Sequence, residues 1–335
     1  MLLALGRIPV LVLLAVYTAI GLADAGHPDD RLLLARALLP IAAYLMFSVA
    51  CNDLSDERID RVNLPDDPSR PLVSGGALRG ELTVVAVVCG LVALGGAFLL
   101  GPWPGLVTAV GIGVSGGYSL RPVRIADRGA FAALTLPACY VAVPYLVGRL
   151  AAGPWPQGRG WLLPAALYIG FIGRILLKDF RDVRGDALFG KRTFLVRHGR
   201  VWTCRFSAVC WTLGTVLAVA ALPGVTPSLV AVSTAYLGAA LWLLHRLSRD
   251  DHPRREALLI SAAAIVGRGL LLTVLAQLSV RPLHWSPWAQ AATLLALLVL
   301  TLGQASTMLR EGPASRLRVP AHWRHDSERV PADVS

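Results

Sequence analysis

Ten apolar stretches, each about as long as a bilayer is thick, dictate what this chain can fold into. They fall at about residues 8–24, 32–52, 82–100, 104–120, 130–148, 161–177, 203–222, 226–245, 257–279 and 287–309. Inside lipid no water satisfies a peptide group, so each crossing must close its own hydrogen bonds, and a helix does this within one segment. With 55% hydrophobic and 16% charged residues over 335 positions, the composition lies outside the range of a water-soluble domain. The expected fold is all-α, a polytopic transmembrane bundle of nine to ten spans over residues 1–309, followed by a polar, proline-bearing tail over 310–335. The first stretch also has the form of a secretory leader, with Leu11 to Ile20 followed by Ala23, Asp24 and Ala25. Its apolar run is long for a leader and only Arg7 flanks it, which favours a retained helix.

The basic residues orient these spans. Arg58, Arg61, Arg70 and Arg79, then Arg121, Arg124 and Arg128, then the run from Arg181 to Arg205, and later Arg246 to Arg255 all fall in alternate loops on one side. The loops of the other side hold only Arg31, Arg149, Arg159 and Arg281. The basic side is the cytoplasmic one, which predicts a multi-pass protein of the cell membrane. The formal charge of +11 is therefore a topology signal with attraction to anionic lipid; no arginine face or base-reading module suggests nucleic acid. Trp103, Trp155, Trp161, Trp285 and Trp288 sit near predicted outer ends, as interfacial anchors do. The five cysteines form no C-x-x-C pair and the seven histidines no ligand pair at helical spacing within the predicted spans, which argues against disulfides and zinc.

Two aspartate clusters stand out against this apolar background. Asp53, Asp56 and Asp60 have the spacing D-x-x-D-x-x-x-D, and Asp179, Asp182 and Asp186 repeat it, each at the cytoplasmic end of a span. On a helix, positions i, i+3 and i+7 lie within about 60° of one another, so the first three carboxylates project from one face. Carboxylates about 6 Å apart repel by roughly 3 kcal/mol per pair at an effective dielectric near 20, and a bound cation relieves this. An all-oxygen donor set with room for water and phosphate suits Mg2+. Gly185 weakens the one-face argument for the second cluster. Equal spacing on spans of like orientation suggests a parallel duplication that sets two metal-binding arms opposite each other.

A substrate with a diphosphate head and a long apolar tail fits such a place. Metal ions would bridge carboxylates to phosphate oxygens while the tail lies among the helices. Lys178, Arg181, Arg184, Lys191 and Arg192 are near in sequence to complete the neutralisation. Loss of diphosphate would leave an allylic carbocation, and a dry apolar cavity would keep water from quenching it. A lone D-x-x-D beside a helix is commonly just solvated charge; two matching triads with adjoining cations are not readily explained that way.

The run from Asn52 through Asp53, Asp56 and Asp60, continuing to Arg70-Pro71-Leu72-Val73-Ser74-Gly75, resembles the first signature of the UbiA superfamily of membrane prenyltransferases. Lys178 to Thr193 resembles its second aspartate signature, and Tyr118-Ser119-Leu120-Arg121-Pro122-Val123-Arg124 is similar to its turn after the fourth helix. The resemblance implies a bundle around a central cavity capped by cytoplasmic loops that carry both aspartate motifs. It implies Mg2+-dependent transfer of a prenyl group from a prenyl diphosphate donor to a small-molecule acceptor, an aromatic ring being the leading class. Carried over, Asp53, Asp56, Asp60, Asp182 and Asp186 would organise the metal, with Asp179 a further ligand by spacing. Asn52 and Lys178 would contact the diphosphate, and Arg70 and Arg124 would either neighbour its phosphates or structure their loops. Arg174 stands where the family often has tyrosine, and it joins the candidate diphosphate contacts as a departure from the pattern. The family commonly has nine spans, so the stretch at 287–309 is an addition.

A membrane terpene cyclase of the same superfamily would share the ionisation step and differ only in where the cation goes. A cation-coupled transporter would carry acidic residues deep within its spans, whereas here they gather at one face. Arg268, midway along the ninth span, calls for an ion-pair partner or a wet cavity. Gly95-Gly96 and Gly116-Gly117 suggest close helix contacts.

Overall fold

The computed structural model describes residues 7–63, 70–180, 193–250, 252–280 and 282–312, and these form an all-helical bundle. Its helices are α1 (Ile8–Asp24), α2 (Arg31–Asn63), α3 (Arg79–Leu100), α4 (Pro102–Ser119), α5 (Ala130–Pro137), α6 (Val143–Ala152), α7 (Leu162–Ile175), α8 (Phe194–Ala221), α9 (Pro227–Arg249), α10 (Pro253–Ser279) and α11 (Pro287–Glu311). A π-helical turn, Ala138–Ala142, joins α5 and α6 into one rod. Pro137 and Pro144 flank it; each lacks an amide hydrogen, which is why the regular ladder yields there. Every expected span thus coincides with a helical rod. Eight are long and apolar enough to cross a bilayer on their own, while α1 has 17 residues and the glycine-rich α4 falls short in apolarity. The last helix runs to Glu311, and the tail beyond residue 312 lies outside the described residues.

Two apolar cores hold the rods together. One gathers α1 and α6 with α7 to α11 around Tyr17, Tyr145, Phe171, Trp211 and Tyr236. The other packs α2, α3, α4 and α6 around Ile41, Tyr44, Leu82 and Val147. Where α1 meets α6 the backbones touch. A Cβ added at Gly21 would lie 2.1 Å from the Tyr145 carbonyl oxygen, and one at Gly148 would lie 2.2 Å from that of Thr18. Only glycine permits this crossing. The expected glycine pairs behave differently: Gly96 faces Pro40, with 3.3 Å left for a Cβ, but Gly95 and Gly116 face nothing within 4 Å. Close packing needs a glycine turned toward a neighbouring helix, and pairing in sequence does not decide which way it turns.

Helix α2 matters most for function. Its 33 residues extend about 50 Å, well beyond a hydrocarbon core of about 30 Å, so its final turns stand clear of the apolar layer. Those turns carry Asp53, Asp56 and Asp60. Because the helix continues through them unbroken, the three carboxylates face inward together, 2%, 8% and 6% exposed, while Arg58, Arg61 and Val62 face out.

Candidate active site

Five elements end or begin at the level of those carboxylates: the start of α1, the end of α2, the loop after α4 with the start of α5, the end of α7 and the start of α8. Side chains of the last four of these line a cleft of roughly 670 Å³, counting the space at its open mouth. From α2 come Asn52, Asp56, Ile59 and Asp60; Arg70 follows from the next described segment. Lys178 and Asp179, in and just after the 3-10 turn that follows α7, line the cleft too, with Thr193 at the N-cap of α8. Tyr118, within electrostatic reach of Asp56, Lys178 and Asp179, also lines the cleft. Ala132, Ala133, Leu136, Ile175 and Leu176 supply an apolar side. The two aspartate-bearing arms therefore face one space, as far as the described residues reach. Asp182 and Asp186, with Arg181, Arg184, Lys191 and Arg192, lie outside them.

Arginines tie down the α2 carboxylates. Arg7 donates to Asp53 Oδ1 at 2.8 Å, and Arg70 pairs with the same oxygen and, at 3.0 Å, with Asp60 Oδ2. Arg124 reaches Asp56 Oδ1 at 2.8 Å, Asp127 at 2.6 Å and the Ser55 carbonyl at 3.1 Å. Arg124 has a left-handed backbone, φ 36°, which costs about 1–2 kcal/mol for a residue with a Cβ. The three acceptors around its guanidinium hold it in that conformation. Arg124 lies behind Asp56 and does not line the cleft, so its contact is with the carboxylate. Asp53 likewise does not line the cleft, and its Oδ2 is buried without a partner among the described residues.

Among the described residues, no three acidic, thiol or imidazole side chains converge into a metal-holding group. The α2 triad shares a face but is spread along two turns and is partly neutralised by arginine, so it is not a closed cage by itself. The oxygen donors at the cleft, Asp56, Asp60, Asp179 and Asn52, come from two separate elements and fit a hard divalent cation shared between them and a ligand.

Arg174 is placed elsewhere. It lines a second cavity, between α1, α7, α8 and α10, that shares no lining residue with the cleft. Arg268 meets no carboxylate among the described residues; its electrostatic neighbour is Arg174, a like charge. The expectation that an ion pair satisfies it is not met there. Sequence reasoning passed over Arg7, whose position at the start of a span running from the basic face was the available signal. It passed over Tyr118 as a site residue too, although Tyr118 opens the third motif.

Residues 12–266 match the UbiA prenyltransferase family. The chain is similar to the bacteriochlorophyll synthase 33 kDa chain of Cereibacter sphaeroides, 27% identical over 205 residues that cover 61% of this chain and 67% of that one. It is similar to homogentisate phytyltransferase of Synechocystis sp., at 29% identity, covering 62% and 68%. In two further bacteriochlorophyll synthase chains the match spans about half of the relative, 52% and 50%. In fold it resembles a UbiA homolog from Archaeoglobus fulgidus bound to DMAPP and Mg2+, with a TM-score of 0.58 at 14% identity over 92% of this chain and 99% of that one. A structure from work on digeranylgeranylglyceryl phosphate synthase in membranes aligns with a TM-score of 0.62 at 16% identity, covering 83% and 97%. The family's match over most of the chain, the shared fold and the facing aspartate-bearing arms lead to one conclusion: this protein belongs to the UbiA prenyltransferase family.

Proposed function

We propose that the chain is a Mg2+-dependent intramembrane prenyltransferase that ionises a prenyl diphosphate in the cleft and passes the prenyl group to an acceptor, with the cleft on the cytoplasmic side. One observation carries this reading: Asp56 and Asp60 of α2, and Lys178 and Asp179 after α7, line a single polar space with an apolar side. The positive-inside pattern supports the orientation, since Arg7, Arg70, Arg79 and Arg124 share the end of the bundle that bears the cleft.

Asp56, Asp60 and Asp179 would hold the metal, joined by Asp182 and Asp186 of the same signature, with Asn52 beside them. Bound Mg2+ would neutralise the diphosphate and stabilise its charge as a leaving group. Lys178 and Arg70 both line the cleft and would supply positive charge to phosphate oxygens. Arg124 and Arg7 hold Asp56 and Asp53 in place, so the carboxylates are oriented before any ligand enters. Ile59, Leu136, Ile175 and Leu176 exclude water where the prenyl carbon loses its bond. The phytyltransferase and the DMAPP-bound homolog among the similar proteins support an isoprenoid donor, and the homogentisate in the former's name supports an aromatic acceptor.

The test is incubation of the protein in nanodiscs with Mg2+, a series of prenyl diphosphates and aromatic acceptors, reading diphosphate release and product mass. Acceptor-dependent prenylated product is expected, and Asp56→Ala should lower turnover about 100-fold or more while membrane insertion stays normal. Near-wild-type turnover by Asp56→Ala would overturn the assignment. Hydrocarbon or alcohol products formed equally well without acceptor would replace transfer by cyclisation.

A further inference from the structure

Where α8 begins and α9 ends, the two helices flank a groove of roughly 730 Å³, counting the space at its open mouth. Thr193, at the N-cap of α8, lines the cleft, so the groove opens at the same end of the bundle, yet the two share no lining residue. Its polarity changes with depth. Ala208 and Leu241 lie farthest from the mouth, whereas Arg205, His245 and Arg249 lie near it. The backbone of α8 leaves helical geometry at Gly199, so Arg205 sits fewer than two turns inside the end of the rod, and Arg249 is the last residue of α9. Arg205 also reaches back toward the mouth: its guanidinium carbon lies 5.9 Å from the centre of the Trp202 ring, one turn nearer the end. Around the groove Trp202, Phe206, Val209 and Trp242 are exposed, the aromatic and apolar rim of a surface turned to lipid.

Charge decides what fits. No acidic side chain lines the groove, and Arg205, His245 and Arg249 pair with no carboxylate among the described residues. The described acids that follow them in sequence are taken: Asp250 lies 3.6 Å from Arg255, and Glu256 pairs with Arg200. Two arginines thus share one mouth without a counter-charge of the protein's own, and an anion there relieves their repulsion. A prenyl diphosphate fits poorly, because its charge calls for a metal and no carboxylate stands here to hold one. A free anion would leave the apolar walls unused. A phospholipid with one negative headgroup answers both halves: its phosphate oxygens accept from the guanidinium groups at headgroup level, and an acyl chain follows the apolar side chains into the membrane.

We propose that this groove binds one anionic phospholipid, its phosphate held by Arg205 and Arg249 and an acyl chain laid along Ala208, Leu241 and Leu244. Assigning that lipid to the cytoplasmic leaflet rests on the orientation proposed above, whereas the site itself rests on the groove alone.

The test is native mass spectrometry of the protein released from nanodiscs made of equal parts phosphatidylglycerol and phosphatidylcholine, which needs neither Mg2+ nor turnover. One phosphatidylglycerol should stay bound about tenfold more often than phosphatidylcholine. Arg205→Gln with Arg249→Gln should reduce that preference to about twofold or less, while Arg205→Lys with Arg249→Lys keeps part of it. Arg254→Gln with Arg310→Gln removes two exposed cations at the same end of the bundle but outside the groove, and should leave the preference intact. Thermal melting by circular dichroism reports whether each variant is folded; if the glutamine pair is not, Arg249→Gln alone, at the exposed end of α9, carries the comparison. Equal retention of the two lipids, an unchanged preference in the folded glutamine variant, or an equal loss in the Arg254 and Arg310 control overturns the site. Displacement of the lipid by excess inorganic phosphate would reduce the groove to a site for free anions, and displacement by a metal-free prenyl diphosphate would make it part of the substrate's path; either result overturns the proposal. The Asp56→Ala protein should retain phosphatidylglycerol as wild type does, so a failure of the transferase reading would leave the lipid site standing.

Discussion

Arg70→Met is the most informative single perturbation of the cleft. Arg70, with an 11% exposed side chain, pairs with Asp53 and Asp60, whose side chains are 2% and 9% exposed. Unit charges about 3 Å apart attract by about 5–6 kcal/mol at an effective dielectric near 20, and the desolvation of the guanidinium takes back a large part of this. Methionine removes the charge but keeps a long apolar stem. Asp53 retains Arg7 at 2.8 Å, so the loss falls mainly on Asp60, left buried beside two other carboxylates. Breaking a buried pair from one side costs about 3–5 kcal/mol, and the retained Arg7 puts the expectation at the low end, about 3 kcal/mol. Asp60→Asn in the same background removes the stranded charge and should recover about 2 kcal/mol. The assay is reversible unfolding in mixed micelles by detergent titration without divalent cations, run as a double-mutant cycle. Additive single and double mutants, or an Arg70→Met protein within about 0.5 kcal/mol of wild type, would refute the view that these carboxylates are held by arginine.

Three further outcomes follow from the same geometry. Chelation of Mg2+ should stop turnover, and Mg2+ should raise the Tm of Arg70→Met by more than it raises that of wild type, because the cation meets carboxylates with one counter-charge fewer; differential calorimetry with and without chelator reads this. Lys178→Ala should raise KM for the prenyl diphosphate about tenfold, the loss of one charge-assisted contact, with little change in KM for the acceptor; steady-state kinetics with each substrate varied distinguishes the two. Gly148→Val should destabilise the protein by several kcal/mol by forcing α1 and α6 apart where 2.2 Å remains for a Cβ, whereas Gly95→Val should be near neutral because that position faces open space; thermal aggregation of the solubilised proteins separates them.

The number and order of the rods were legible in the sequence because apolar length is a one-dimensional property. The inward face of Asp53, Asp56 and Asp60 was legible for a related reason: spacing on an unbroken helix determines a face. What each carboxylate touches was not, because Arg7 lies 46 positions from Asp53 and Arg124 lies 68 from Asp56, and only the packing of α1 and the loop after α4 brings them together. Arg174 shows the same limit. Its neighbourhood in sequence, four residues before Lys178, grouped it with the diphosphate contacts; the packing of α7 against α8 and α10 turned it to another cavity. Glycine pairs told only part of the packing, because a doublet cannot have both members facing the same helix: Gly96 meets Pro40 while Gly95 does not, and the tightest crossing, at Gly21 and Gly148, uses single glycines.

The arginines around the α2 triad pose a question about metal binding, since each takes an oxygen that a cation could use. A carboxylate has about four lone-pair sites on two oxygens, so one arginine contact does not exhaust it. Asp53 gives Oδ1 to Arg7 and Arg70 and keeps Oδ2 without a partner among the described residues, while Asp56 is tied by Arg124 through Oδ1. The arginines stand behind or beside the carboxylates, and Arg7 and Arg124 do not line the cleft. Such an arrangement lowers the repulsion of the triad before any ligand arrives yet leaves the cleft side to oxygen. It favours weak binding of the metal alone and tighter binding of metal together with diphosphate, because the pyrophosphate oxygens supply the negative charge that the arginines have cancelled. Titration calorimetry should accordingly find that inorganic pyrophosphate strengthens Mg2+ binding about tenfold or more, and that Arg124→Gln, by returning charge to Asp56, raises the affinity for Mg2+ alone. An affinity for Mg2+ that is unchanged by pyrophosphate would show that the carboxylates bind metal without help, and the assignment of Arg124 as the group that tempers Asp56 would fail.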